Sequence, residues 1–141
     1  MNLLYLYQII IQTIINTMTS EQKKALLLLK AVIFNYHGLD DEERKILEKT
    51  AKEVDGYEEL EWVNDFIAQD HFSSFERARG FFNNAIQNLD NQTKLSFLVQ
   101  AWDANRAKGY VSEIEATSLL KLSKDWNIQK EFVSFVRNRP N

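Results

Sequence analysis

Only four glycines and one proline punctuate the 141 residues of this chain. β-sandwiches and barrels spend both residue types on tight turns, so a chain this poor in them is expected to fold into helices joined by short loops. The length suits one compact domain and is too short for two ordinary ones. Apolar residues make up 45% and charged residues 26%, an average globular mix that excludes disordered and fibrous classes. With no cysteine, a disulfide scaffold, a zinc finger, an iron–sulfur cluster and thiol chemistry are all excluded. Two histidines leave little room for a His-rich metal site or a catalytic triad.

Periodicity divides residues 20–137 into seven short helices. Ser20 opens SEQKKALLLLKAVIFNY, with Leu26, Leu29 and Ile33 on one face and Leu27, Leu28 and Val32 widening it; Gly38 stops it. Asp40 and Glu43 are spaced as a capping box, and Gly56 is the expected stop of the helix they open. Leu60, Val63, Phe66 and Ile67 share the face of a third helix. Ser73 or Ser74 caps a fourth, with Phe75, Ala78, Phe82, Ala85 and Leu89 inward. Asn91 starts a fifth, with Leu95, Leu98, Ala101 and Trp102 inward, and Gly109 ends it. Ser112 with Glu115 makes a second capping box, and Phe132, Phe135 and Val136 form the inner face of the last helix. No linker separates these elements, so residues 20–137 read as one domain.

The list hides a repeat. Residues 24–54 and 94–126 follow the same order of apolar helix, Gly, hydrophobic residue, cap, Glu three residues later, and apolar helix. Leu39 matches Val111, Asp40 matches Ser112, Glu43 matches Glu115, Leu47 matches Leu119, Val54 matches Trp126 and Leu60 matches Phe132, each at an offset of 72. Gly38 matches Gly109, the first copy being one residue shorter there. Two such units pack naturally about a pseudo-twofold axis. The expected fold is therefore all-α: a single helical bundle of about seven helices, built from two pseudo-repeated helix–loop–helix halves.

The pattern of helix, Gly-x-hydrophobic-Ser-x-x-Glu and helix, twice about seventy residues apart, resembles the TerB-like tellurite-resistance family. The second copy, Gly109-Tyr110-Val111-Ser112-Glu113-Ile114-Glu115, carries the resemblance best; the first is Gly38-Leu39-Asp40-Asp41-Glu42-Glu43. The resemblance covers residues 20–137. It implies a stress-response binding or assembly module, cytoplasmic and without enzymatic activity, and it implies metal ligands among the acidic residues near the loops. In that family an Asp precedes each Gly; here His37 and Lys108 stand at those places.

The acidic residues also have a reading of their own. Asp40, Asp41, Glu42 and Glu43, joined by Glu113 and Glu115 across the pseudo-twofold, are hard oxygen ligands suited to calcium, magnesium or manganese. The candidate ligands of a weakly bound divalent cation are Asp40, Asp41, Glu43, Glu113 and Glu115. The EF-hand pattern is absent, Asp40, Glu43, Ser112 and Glu115 are already accounted for as helix caps, and Lys108 is a cation that competes with a metal ion. No other cofactor is expected. His37 and His71 have no Ser or Cys elbow beside them, so no triad can be built. A small hydrolase using clustered carboxylates is the rival to the binding module.

Residues 1–20 carry no charge, residues 21–70 hold 7 basic and 13 acidic groups, and residues 71–141 hold 10 and 7. Dispersed basic residues argue against nucleic-acid binding, which wants a concentrated basic face. The acidic run Glu53, Asp55, Glu58, Glu59, Glu61 and Asp65 reads as a solvated face or a lure for a basic partner. Phe72, Phe75, Phe81, Phe82, Phe97, Trp102, Trp126, Phe132 and Phe135 are many for one small core, which leaves room for a groove that takes a protein partner or a small apolar ligand.

Residues 1–19 form an apolar N-terminal extension, MNLLYLYQIIIQTIINTMT. It lacks the basic start and cleavage site of a signal peptide, and its Asn, Gln and Thr residues weaken a membrane span. As a helix it aligns Leu3, Tyr7, Ile10 and Ile14 in one stripe. Three readings stand: a helix packed on the domain or a partner, a leader preceding a natural start at Met18, and a peripheral membrane contact. The expected receiver is the helix with Phe81 and Phe82, and exchange between two copies is the expected route to a homodimer.

Overall fold

The structure, a computed structural model, describes residues 2–16, 18–34 and 40–139. Among them are eight helices and no strand: α1 (Leu3–Asn16), α2 (Ser20–Phe34), α3 (Asp41–Val54), α4 (Tyr57–Gln69), α5 (Ser74–Ala85), α6 (Asn91–Ala107), α7 (Glu113–Asp125) and α8 (Gln129–Arg137). The seven helices expected between residues 20 and 137 are α2 to α8, and the apolar extension supplies α1. His37, Gly38 and Leu39 lie outside the described residues.

Helix α2 is the axis of the bundle. Every residue from Ala25 to Phe34 is buried, which is the fate of a helix that is apolar nearly all round. It touches α3, α4, α5, α6 and α7. The halves repeat as the sequence implies: α3 and α7 start 72 residues apart, at Asp41 and Glu113, and α4 and α8 start 72 apart, at Tyr57 and Gln129. The backbone repeats too, since Asp55 (φ 53°) and Asn127 (φ 59°), also 72 apart, both turn into the left-handed region. Helix α5 joins the halves and is tied to α7 by the two-pronged Arg79–Asp125 pair, at 2.7 and 2.9 Å.

One cap assignment needs correction. The left-handed residue that ends α3 is Asp55, not Gly56, which has φ −125° and opens α4. Gly56 is there for space: a Cβ would sit 3.0 Å from Val54 Cγ2 and 3.4 Å from Leu27 Cδ1. Helix α6 begins at Asn91 as expected, and the residue before it is its cap, the Asp90 carboxylate accepting the Thr93 N–H at 2.7 Å. Gly109, with φ 123°, does need glycine and follows α6 as expected.

Helix α1 does not sit on the helix that carries Phe81 and Phe82. Phe82 is buried edge-on to Trp126, with centroids 5.7 Å apart. Phe81 is stacked 4.9 Å from Trp62 and 6.5 Å from Phe66, so α4 already covers that surface. Tyr7, Ile10 and Ile11 of α1 instead face Leu95 and Val99 of α6 and Phe135 of α8 across a cavity of about 160 Å³.

Candidate functional site

Three helix ends meet at the loops that the repeat singled out. Both predicted capping boxes form. The Asp40 carboxylate accepts the Glu43 N–H at 2.7 Å, and Glu43 Oε1 accepts the Asp40 N–H at 3.2 Å. In the second half, Ser112 Oγ accepts the Glu115 N–H at 3.2 Å, and Glu115 Oε1 accepts the Ser112 N–H at 2.8 Å. Each Glu thus spends one oxygen on its own helix start and keeps Oε2 free to point onward.

Both Oε2 atoms point at one group. Lys108 at the C-terminal end of α6 donates to Glu43 Oε2 at 3.1 Å and also to Glu115 Oε2. The carboxylate side chains are 5% exposed and the lysine side chain 20%. Lys108 Nζ also lies 5.4 Å from the centre of the buried Phe34 ring, within cation–π range. Backbone dipoles agree with this arrangement: the glutamates sit at the N-terminal, electropositive ends of α3 and α7, and the lysine at the electronegative end of α6.

Protonation follows from these contacts. Burial by itself disfavours charge on Lys108, but its hydrogen bonds to Glu115 and Glu43 outweigh it and raise the lysine above its ordinary value. Burial likewise pushes Glu115 up, and the hydrogen bonds from Lys108 and Ser112 overcome that and hold it below the usual carboxylate range. Lys108 and Glu115 are thereby held as a charged pair at neutral pH, with Glu43 Oε2 accepting from the same ammonium.

Of the proposed metal ligands, the fold brings Glu43 and Glu115 together. Asp40 is engaged as a cap, and Asp41 and Glu113 are exposed on the first turns of α3 and α7. Among the described residues, no group of three or more His, Cys, Asp and Glu side chains converges to hold a metal ion. Calcium takes six to eight oxygens and magnesium a near-ideal octahedron. Two Oε2 atoms already shared with an ammonium do not fit either ion. His71 is exposed in the α4–α5 turn, where its carbonyl accepts from Ser74 N and Oγ.

Lys30 is a buried titratable residue that the sequence reading missed. It lies within the buried run of α2, 7% exposed, with Nζ 2.8 Å from Thr50 Oγ1 of α3. Burial lowers its pKa to about 8, partly countered by Glu53 and Asp103 and reinforced by Lys49. A lysine embedded in KKALLLLKAVIF was the available signal, since a charged group seldom interrupts a helix that is buried on every face.

The other unusual surface is α1, which carries seven exposed large apolar side chains: Leu3, Leu4, Tyr5, Leu6, Tyr7, Ile9 and Ile10. Among the described residues, no helix is long and apolar enough to cross a membrane. No family model matches the chain, and comparisons with curated proteins and with solved structures give no match either.

Proposed function

We propose that the chain is a non-enzymatic binding and assembly module of the TerB-like stress-response kind, acting through partner contacts made by α1, with a second copy of the chain as the partner. The observation that carries this reading is the exposure of α1: Leu3 is 84%, Leu4 62% and Tyr5 54% exposed on a helix without a charged residue. The exposed apolar surface of this helix amounts to several hundred Å², the scale of the roughly 800 Å² that each partner gives to a standard interface. An uncharged helix meets its own copy without repulsion. A lipid surface is normally engaged through Lys and Arg flanking the apolar face, and α1 has neither. The short passage from α1 (ending at Asn16) to α2 (starting at Ser20) suits exchange of α1 between copies.

The hydrolase alternative has less to stand on. A carboxylic acid that donates a proton at neutral pH needs its pKa raised by its surroundings. Glu115 is held in the opposite direction, and Glu43 shares the same ammonium.

Sedimentation of the full chain beside a Leu3→Lys/Leu4→Lys variant tests the assembly reading. Both positions are exposed, so the variant keeps its fold and its helical circular dichroism. The parent is expected to sediment as a dimer and the variant as a monomer. A monomeric parent that binds phosphatidylcholine vesicles overturns the second-copy reading in favour of a lipid partner. Identical sedimentation of parent and variant overturns the role of α1.

A further inference from the structure

The Glu43–Lys108–Glu115 triad stands independently of the assembly reading. The family resemblance implies a divalent ion near these two glutamates, and the residues present disagree with it. We infer that Lys108 is itself the resident cation of the junction, a covalently tethered ammonium that closes the two halves of the bundle onto each other without a metal ion.

Three features match an ammonium and not a divalent ion. The first is stoichiometry. Lys108 has three N–H donors; two meet Glu43 Oε2 and Glu115 Oε2, and the Phe34 ring lies 5.4 Å away as a third electron-rich neighbour. An aromatic face is a partner for an ammonium and no substitute for the oxygen ligands of a hard cation. The second is the donor set: Oε1 of each glutamate is already an acceptor for a backbone N–H, at 3.2 and 2.8 Å, so each carboxylate offers the junction a single oxygen. The third is topology. Lys108 lies 65 residues from Glu43 and 7 from Glu115, so one side chain at the end of α6 links the first-half helix α3 to the second-half helix α7.

The tethered cation also changes how the junction responds to solution. A bound ion leaves when a chelator removes it, whereas an ammonium on the chain cannot leave. The junction is thereby made constitutive.

Thermal unfolding of the full chain tests this in chelator and in millimolar calcium, magnesium or manganese. The wild-type midpoint is expected to be the same in all four solutions. Lys108→Met should lower it on the order of 10 °C, because two buried carboxylates are left facing each other. Adding Glu43→Gln and Glu115→Gln to that variant should recover much of the loss, which a purely packing role for Lys108 would not allow. If Lys108→Met alone does not fold, the triple variant decides the matter: a folded triple variant supports the resident cation and an unfolded one overturns it. A wild-type midpoint that rises with a divalent cation, and stops rising in Glu43→Gln/Glu115→Gln, overturns the inference. So does a Lys108→Met midpoint equal to that of the wild type.

Discussion

Two lysines reach into this bundle and meet opposite treatment. Lys108 stands between two carboxylates, and its charge is favoured. Lys30 is more deeply buried, meets a threonine hydroxyl at 2.8 Å, and its charge is disfavoured to a pKa of about 8. Both ammonium groups touch α3, at Glu43 and at Thr50 respectively. Burial is therefore not what sets the sign. A desolvated cation is stabilised only when an anion with free lone pairs is held against it, and α3 provides that at its capped start and not at Thr50.

The largest way to break the comparison is to remove the favoured charge. Lys108→Met should cost about 4 kcal/mol in urea unfolding at neutral pH, the range for breaking a buried pair and leaving the other charge unpaired. Next is pH. Folded Lys30 loses its proton near pH 8 while unfolded lysine holds it to 10.5. The unfolded state then binds more protons between those values, so stability should climb as pH rises from about 8 to 10.5, by about 3 kcal/mol in full. Lys108, with its value raised, keeps its proton across that window, and the stability it confers should fall only above pH 10.5.

A smaller effect, of opposite sign to the Lys108 variant, is expected at the other lysine. Lys30→Met should stabilise the fold at pH 7 by about 2 kcal/mol, since the burial penalty disappears and one hydrogen bond is lost. Thr50 Oγ1 keeps its bond to the Ile46 carbonyl at 3.0 Å. In this variant the climb between pH 8 and 10.5 should vanish, and a climb that persists would locate the titrating group elsewhere. The smallest effect is at the capping boxes that hold the glutamates in place. Ser112→Ala should cost about 1 kcal/mol by urea unfolding, the usual value of an N-cap. A cost several times larger would mean that the cap also positions Glu115 for Lys108.

Much of the fold was legible in the sequence because its signals are local. Asp40 with Glu43, and Ser112 with Glu115, are three residues apart, and a helix start converts that spacing directly into hydrogen bonds. The offset of 72 survives as matching helix starts and matching left-handed residues because both halves bury the same faces. Where two local cues compete, packing decides between them. Gly56 was the natural stop for α3, yet Asp55 takes the left-handed turn and Gly56 sits where a Cβ would come 3.0 Å from Val54 Cγ2.

The sequence by itself determined the helices from 20 to 137, their two capping boxes, the two related halves and the apolar character of residues 3–15, all of which follow from side-chain period and near-neighbour chemistry. Only the tertiary structure decided that Glu43 and Glu115 share Lys108, that Lys30 is buried without a carboxylate bonded to it in the same way, that Phe81 is spent on Trp62 and Phe66, and that α1 faces α6 and α8. These are distances between groups from 7 to 128 residues apart along the chain. Electrostatic and packing energies depend on separation in space, and residue period says nothing about it until the helices have packed.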